Sequence, residues 1–533
     1  MRDRGHVFVV HGNLLRLECD AWLLPCGVGG STAGYWRIPP NADIYDAWEW
    51  PPGDWTKVLR CVALEGDHDR PRPFATHIGG GKDAEVAWFV EGALEFVARA
   101  HERLRRDGHP PRHGRARHLL AMPIVGTGYG GGAARAGEIV TMLLPELERE
   151  SEARGIDIAL VSLDASNHAA AQATRRAYWA SRSPHEPAWP ALTEAQRARA
   201  IALAQQAVEG KLVLFLGAGI SRGAGLPDWA TLLEQLAARA AIDDRAGFAR
   251  LDHLDRAEVL ERRFGGTAAL GREVASLLGS ERSSLAHALL AALPVNEIVT
   301  TNYDRLFEIA SEPVIGADAL AVLGPGRRSD RARWLLKMHG CVTRPEEIVL
   351  TRTDYLRYAE ERGALMGIVQ ALLMTRHMLF VGFSLDDPNF HRIADAVRRA
   401  VRGSERRGSR DFLGTALTPA RRGFVEELWS DDLDWIALAE QGDDFAEAAR
   451  RHDVFLDCVA AHAPRAAHLF DPAFAPLLAP HEAELTSAVS ELRGLVETVR
   501  ARGETSPALA VIERMLVELG AVGRVPHRAL RKR

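Results

Sequence analysis

The apolar run Leu212 to Leu216 gives way at once to Gly217-Ala218-Gly219-Ile220-Ser221, and this junction constrains the fold more than any other stretch of the chain. Gly217, Gly219 and Gly225 fall where a buried strand ends and a helix is expected. Missing side chains let the backbone approach a phosphate, and a helix start supplies free amide donors with a favourable dipole. A bare Gly-x-Gly serves a tight turn equally well, so the neighbouring runs matter. Glu297-Ile298-Val299-Thr300 ends in Thr301-Asn302-Tyr303-Asp304, which plants an amide and a carboxylate at a strand end. Trp334-Leu335-Leu336-Lys337-Met338 ends in His339-Gly340, and Met378-Leu379-Phe380-Val381 ends in Gly382-Phe383-Ser384. These runs are continuous rather than alternating, as in a parallel sheet covered on both faces. In such sheets, ligands bind beyond the carboxyl ends of the strands.

A chain of 533 residues is too long for one core. Pro184, Pro187 and Pro190 mark a break that neither a helix nor a central strand tolerates. Thr193-Glu194-Ala195-Gln196 then has the form of a capping box, predicting a helix to Val208 that stops at Gly210. Residues 192–465, ending in strands such as Phe412 to Leu417, are predicted to form a doubly wound α/β domain. Residues 1–182 also mix strands (His6–Val10, Ala21–Leu24, Leu119–Met122, Ile158–Ser162) with a helix over Glu85–Arg105. Gly29 to Gly81, rich in Gly, Pro and Trp, yields no clear pattern. Residues 466–533 are predicted helical, with Leu485, Val489, Leu492, Val496 and Val499 on one face and a second helix opening at Ser506-Pro507.

The hydrophobic fraction of 47% is that of an ordinary globular protein, and a net charge of −5 argues against a general nucleic-acid or membrane surface. Cys19, Cys26, Cys61, Cys341 and Cys458 are scattered without a C-x-x-C pair, which predicts a reducing compartment and no zinc module. Without a signal-peptide core or the roughly twenty apolar residues of a membrane helix, the expectation is a cytoplasmic protein. Arg524, Arg528, Arg531, Lys532 and Arg533 are predicted to be a solvated basic end.

The order of these segments carries a resemblance. Gly217-Ala218-Gly219-Ile220-Ser221 with Gly225-Leu226-Pro227-Asp228-Trp229 resembles the first signature of the sirtuin superfamily. Thr301-Asn302-Tyr303-Asp304 resembles its second, His339-Gly340 its third and Gly382-Phe383-Ser384 its ribose-contacting fourth. Lys337-Met338-His339-Gly340, with Val349-Leu350-Thr351 downstream, and Val381 through Asn389 look like bacterial sirtuin-like NAD hydrolases of antiphage defence, the Thoeris effectors. The chain departs from protein deacylases, which carry a four-cysteine zinc module and an arginine where Ala230 follows Trp229.

The resemblance implies a nicotinamide–ribosyl bond broken through an oxocarbenium-like transition state, with NAD+ as substrate and no metal. It makes Asn302, His339 and Asp304 the catalytic candidates: Asn302 for the water or ribose, His339 as general base, Asp304 for the carboxamide and the sugar's positive charge. Gly217, Ala218, Gly219, Ile220, Ser221, Pro227, Asp228, Trp229, Thr301, Gly382 and Ser384 become the dinucleotide-binding residues. Each has a plainer role open to it. Asn302 and Asp304 suit a helix cap, His339 a turn, and Asp386-Asp387 before Pro388 reads as a helix start.

In the first domain, Gly12-Asn13-Leu14-Leu15 resembles the opening of macro domains, which bind ADP-ribose. Gly126-Thr127-Gly128-Tyr129-Gly130 resembles their phosphate loop. Asn13 replaces the usual adenine-reading aspartate, and Leu24 to Gly30 replaces the asparagine-rich loop, so this domain is expected to bind an ADP-ribose-like signal and not to catalyse. The combined expectation is an antiphage NAD+ hydrolase gated by a nucleotide signal or a defence-system partner protein, and assembled as a homo-oligomer. The alternatives are an NAD-dependent deacylase or ADP-ribosyltransferase, and a non-catalytic NAD- or ADP-ribose-binding regulator.

Overall fold

The computed structural model describes residues 4–34, 36–38, 42–67, 69–81, 83–128, 130–182, 187–401, 413–463 and 466–519. Tyr129, Phe412, part of the proline-marked break and the basic end lie outside them.

Six strands form the first sheet: β1 (Val7–His11), β2 (Ala21–Cys26), β3 (Cys61–Ala63), β4 (Arg72–His77), β5 (Leu119–Pro123) and β6 (Asp157–Ser162). Their spatial order is β1-β6-β5-β2-β4-β3. All pairs are parallel except β3 with β4. The strands β3 and β4 come from the Gly- and Trp-rich stretch, where Pro73 and a charged end hide the usual strand signature. Helices Val86–Asp107 and Ala136–Arg154 cover one face, burying Phe89, Phe96, Leu143 and Leu147 against Val7, Val9 and Leu120.

The second sheet contains β7 (Leu212–Leu216), β8 (Glu297–Thr300), β9 (Ala321–Leu323), β10 (Trp334–Lys337), β11 (His377–Val381), β12 (Gly414–Thr418) and β13 (Leu433–Ala437). It is parallel throughout, in the order β9-β10-β8-β7-β11-β12-β13. The chain moves outward on one side of β7, then crosses back to place β11 on the other. That reversal opens a crevice beyond the carboxyl ends of β7, β8 and β11. The edge strands β9 and β13 escape sequence reading because β9 is short and Leu433-Asp434-Trp435 alternates. The helix Glu194–Val208 begins with the expected capping box, Thr193 and Gln196 each bonding the other's backbone amide.

The proline-marked break is not a gap in space. Phe8, Val10 and Leu14 share one apolar cluster with Leu285, Leu289, Phe455 and Leu456 of the second domain. Buried charges reinforce this seam. Asp457, fully buried, accepts hydrogen bonds from Arg175 (2.8 Å) and Trp189 (2.7 Å) and pairs with His6 Nε2 (2.9 Å). Arg450 grips both oxygens of Asp157 at 2.8 Å. Helices Pro480–Ala501 and Pro507–Glu518 pack against each other. Of the expected apolar face, Val489 and Val496 meet Phe470, Leu509 and Leu516, whereas Leu485 stays 61% exposed.

Burial works against the charge of Asp457, yet Arg175 and His6 outweigh it and hold the carboxyl at about 2 instead of its ordinary 3.8. A depressed carboxyl contributes stability that is present above its unfolded pKa and lost as pH falls from about 4 toward 2. Asp457→Ala strands Arg175 in the seam and is expected to cost about 3–5 kcal/mol in urea unfolding. Much of the wild type's acid sensitivity between those pH values should disappear with it; an unchanged acid profile contradicts this account.

Candidate functional site

Two glycine turns abut at the crevice. Gly217 N–H donates to the Val381 carbonyl (3.0 Å) and Gly219 N–H to the Gly382 carbonyl (2.9 Å). A Cβ on Gly217 would stand 2.5 Å from Gly382 O, and one on Gly219 2.8 Å from Gly382 Cα. Gly382 itself adopts φ +65°, and its Cβ would lie 2.5 Å from Ile220 N. These three glycines are thus required by the packing of the β7 turn on the β11 turn. The element after Gly217 is a 3-10 turn, Ala218–Ala224, in place of the expected α-helix. The helix begins at Trp229, capped by Asp228, which accepts from Thr231 N–H (2.9 Å). That bond, ahead of the more distant Arg222, holds the Asp228 carboxyl below its usual range.

The β8 end sits beside this turn. Asn302 is 8% exposed, and its Nδ2 donates to the Gly217 carbonyl (3.1 Å) and toward Ser221 Oγ (3.4 Å). Its Oδ1 is solvent-shielded and has no hydrogen-bond partner. Asp304 accepts from Ser221 Oγ at 2.9 Å on one oxygen and from Leu306 N–H at 2.9 Å on the other. It therefore does serve as a local cap, and it also orients Ser221 beneath Asn302. Lys337 at the end of β10 is buried and secures this loop by donating to the Asp304 carbonyl, pairing with Glu308 at 2.9 Å.

His339 is 2% exposed, edge-on to Tyr355 and Tyr358 with ring centroids 5.5 and 5.7 Å away. Its backbone carbonyl accepts from Val349 N–H (2.9 Å), and Gly340 follows at φ +92°. Nε2 is shielded and lacks a hydrogen-bond partner; Asp387 Oδ2 stands 3.6 Å away. Burial, supplemented by Arg362 and only partly offset by Asp387, moves the imidazole pKa below its ordinary value, so the ring is neutral at pH 7. Asp387, read from sequence as a helix start, does cap Phe390 (2.9 Å). Its second oxygen accepts from Tyr355 Oη (3.0 Å) and faces His339. The available signal was its place beyond β11, at the sheet edge that also carries Asn302 and His339.

Asn302 and His339 line the same cavity, of about 990 Å³. Ala218, Gly219, Ile220, Ser221, Pro227, Asp228, Trp229, Thr301, Asp304, Gly382 and Ser384 also line it; Gly217 alone of the expected set lies behind it. Among the described residues no cluster of three or more His, Cys, Asp or Glu could hold a metal ion, and all five cysteines are buried free thiols.

In the first domain the motif residues make local contacts. Asn13 Oδ1 accepts from Leu15 N–H (3.0 Å), capping the turn Leu14–Arg16, and Asn13 faces Ser283 and Pro313 across a crevice of about 10 Å³. Gly126 lies over the Phe89 ring, Thr127 Oγ1 donates to the Ile124 carbonyl (2.8 Å), and Gly130 packs back on Gly126. A cavity of about 860 Å³ opens elsewhere in this domain. Gly29 and Gly30, beyond β2, form one side, with Tyr45, Trp48, Trp50 and Trp55 around it. Tyr45 and Trp50 stack at 4.8 Å, and the buried Trp48 Nε1 has no partner. Among the described residues, Asn13, Gly126, Thr127, Gly128 and Gly130 do not line this cavity. Its tryptophans belong to the stretch whose irregular pattern gave no secondary structure from sequence.

Comparison with known proteins places these features. Residues 296–431 match the SIR2-like domain family. An NAD(+) hydrolase ThsA of Bacillus cereus (strain MSX-D12) is 30% identical over 208 residues, covering 38% of this chain and 43% of that protein. The NAD(+) hydrolase ThsA of Enterococcus faecium is 29% identical over 210 residues, with the same shares of 38% and 43%. Defense-associated sirtuin 2 of Bacillus subtilis is 25% identical over 205 residues, 37% of this chain and 20% of its own. The chain thus spans less than half the length of each of these relatives. Within the matched residues lie β8 through β12 and, at their carboxyl ends, Asn302 and His339.

Proposed function

We propose that the chain is an NAD+ glycohydrolase that releases nicotinamide and ADP-ribose and acts as an effector of antiphage defence. The observation that carries this reading is the pair of buried, unpartnered acceptors, Asn302 Oδ1 and the neutral His339 ring, on one cavity beyond the carboxyl ends of β7, β8 and β11. In the reaction the C1′–N bond breaks with its electron pair going to nicotinamide, which leaves neutral. Water then bonds to C1′ and gives up one proton. Asn302, fixed through Nδ2 to Gly217 and Ser221, presents Oδ1 to hold that water or the ribose. His339 takes the proton, and Asp387 stands 3.6 Å away to stabilise the imidazolium that results. Asp304, with both oxygens engaged, positions Ser221 and adds negative charge near the sugar. The relatives named as NAD(+) hydrolases support the substrate and the reaction. A defence role has the support of the Bacillus subtilis relative's name.

In this reading the first domain is a sensor of an ADP-ribose-like ligand, for whose nucleobase the tryptophan-lined cavity offers aromatic faces. Assembly as a homo-oligomer with a defence partner protein, in the cytoplasm, completes the proposal.

Asn302→Ala and His339→Ala are each expected to lower kcat for nicotinamide release by about 10²–10⁴-fold, read by chromatography, with thermal unfolding close to wild type. Undiminished turnover in either removes the role assignment; consumption of an acyl-peptide alongside NAD+ would favour a deacylase, and binding without turnover a regulator. Because burial lowers the His339 pKa, the acid limb of kcat/KM should have its midpoint below the ordinary imidazole value of about 6.5, and His339→Gln should abolish that limb. Calorimetry with ADP-ribose and its cyclic forms should show binding that Trp48→Ala or Trp50→Ala abolishes; no binding by any of them leaves the first domain structural.

A further inference from the structure

Two loops of the first domain converge on the 3-10 turn Ala218–Ala224 that forms one wall of the central cavity. The first loop, after the Asn13 cap, runs beside Ser283. Glu18 N–H donates to the Ser283 carbonyl (2.9 Å), and Ser283 N–H donates to the Arg16 carbonyl (2.8 Å). The next residue, Ser284, sets its Oγ 2.8 Å from the Ile220 carbonyl within the turn. The second loop, Pro111 to Arg117, reaches the other end of the turn. His113 Nε2 pairs with the buried Glu18 carboxylate at 2.9 Å. Its ring lies so close to Gly225 that a Cβ there would stand 2.5 Å from His113 Cε1. Arg115 Nη2 bridges the Glu18 carbonyl (2.9 Å) and the Gly223 carbonyl (3.2 Å), one from each domain.

Two features set this contact apart from ordinary surface packing. His113 is one of few non-glycine residues with positive φ, +55°, a conformation that persists only where surroundings impose it. Here Glu18 imposes it, and Glu18 is held by Arg112 Nε (2.7 Å) as well as by His113. The second feature is Arg115 Nη1, which is solvent-shielded and without a hydrogen-bond partner although Arg115 lines the cavity. A shielded cationic N–H left unpaired is costly, and an anionic group entering the cavity would satisfy it.

We propose that the first domain clamps the nucleotide-binding turn through Glu18, His113 and Arg115, so that the affinity of the central cavity for a dinucleotide depends on the docked first domain. Glu18 and His113 are positioning residues: they fix Gly223–Gly225, whose neighbours Ala218–Ser221 and Pro227–Trp229 line the cavity. Arg115 adds a cation for an anionic oxygen of the bound molecule. The inference rests on the proposed NAD+ hydrolysis for its choice of ligand, and binding separates the two.

The test uses the full chain. His113→Ala and Glu18→Gln are expected to raise KM for NAD+ by about fivefold or more while kcat stays within about twofold, because a loosened turn weakens ground and transition states alike. The double variant should be no worse than the stronger single one, since both act through one contact. Arg115→Ala should raise KM further and weaken the salt dependence of NAD+ binding. Calorimetric Kd for NAD+ in an Asn302→Ala background should shift with KM. Equal KM and Kd in wild type and His113→Ala overturn the clamp while leaving the hydrolase intact. NAD+ that binds without being hydrolysed, with a Kd raised by His113→Ala, removes the reaction and retains the clamp. If Glu18→Gln lowers thermal stability, His113→Ala decides, because it removes only the ring beside Gly225 and leaves the Arg112–Glu18 and Arg115–Gly223 bonds in place.

Discussion

Everything at the candidate site follows from how closely the β7 and β11 turns approach. Gly219 bonds the Gly382 carbonyl at 2.9 Å, and at Gly217, Gly219 and Gly382 a single added carbon would collide with backbone of the opposite turn. That approach is possible because β7 and β11 are adjacent parallel strands on which the chain leaves toward different sides of the sheet. It turns the Gly217 carbonyl toward Asn302, and this contact fixes the amide so that Oδ1 is left free. The same glycines that would admit a phosphate are thus the ones that set the orientation of the catalytic candidate.

Leaving polar atoms buried and unpaired costs about 1–3 kcal/mol each. Asn302 Oδ1 and His339 Nε2 share that condition beside groups that are fully engaged: Ser221, Asp304 and Lys337 all have partners. In the proposed reading that contrast is the mark of a prepared site. Supporting residues spend their hydrogen bonds on holding the loop, and the two groups facing the cavity keep theirs in reserve. The tyrosine cage around His339 does the same for protonation, since its burial favours the neutral ring that can accept a proton.

Much of this was legible in the residue order. Continuous apolar runs gave β7, β8, β10 and β11 because parallel strands buried on both faces leave no polar alternation. Short strand-end motifs gave Asn302, Asp304 and His339 because binding chemistry in this architecture collects there. What failed to appear were properties that depend on distant partners. Asp387 looked like a cap, and it is one, but its second oxygen turns to His339 from a different part of the chain. The strand β9 has only three residues, and β4 carries Pro73, so neither shows a period. Asn13, expected at a ligand, also caps a local turn through Leu15 N–H, a use its sequence neighbours do not reveal.

The shared seam changes what independence of the two domains means. A boundary drawn at the prolines separates them in sequence, yet Phe8 and Val10 pack with Leu285 and Phe455, and Asp457 gathers His6, Arg175 and Trp189 from three segments. Burying that carboxylate depends on all three donors, which converge on Oδ2, because losing one leaves buried charge uncompensated. Rotation of the first domain on the second would break this arrangement. Any signal passed between the domains therefore travels as a small shift within an intact seam, where packed interfaces switch between discrete arrangements instead of deforming smoothly. Glu18 lies at the end of that seam nearest the cavity, bonded to Ser283, His113 and Arg112 at once, so a displacement too small to open the core still reaches Gly223 and Gly225.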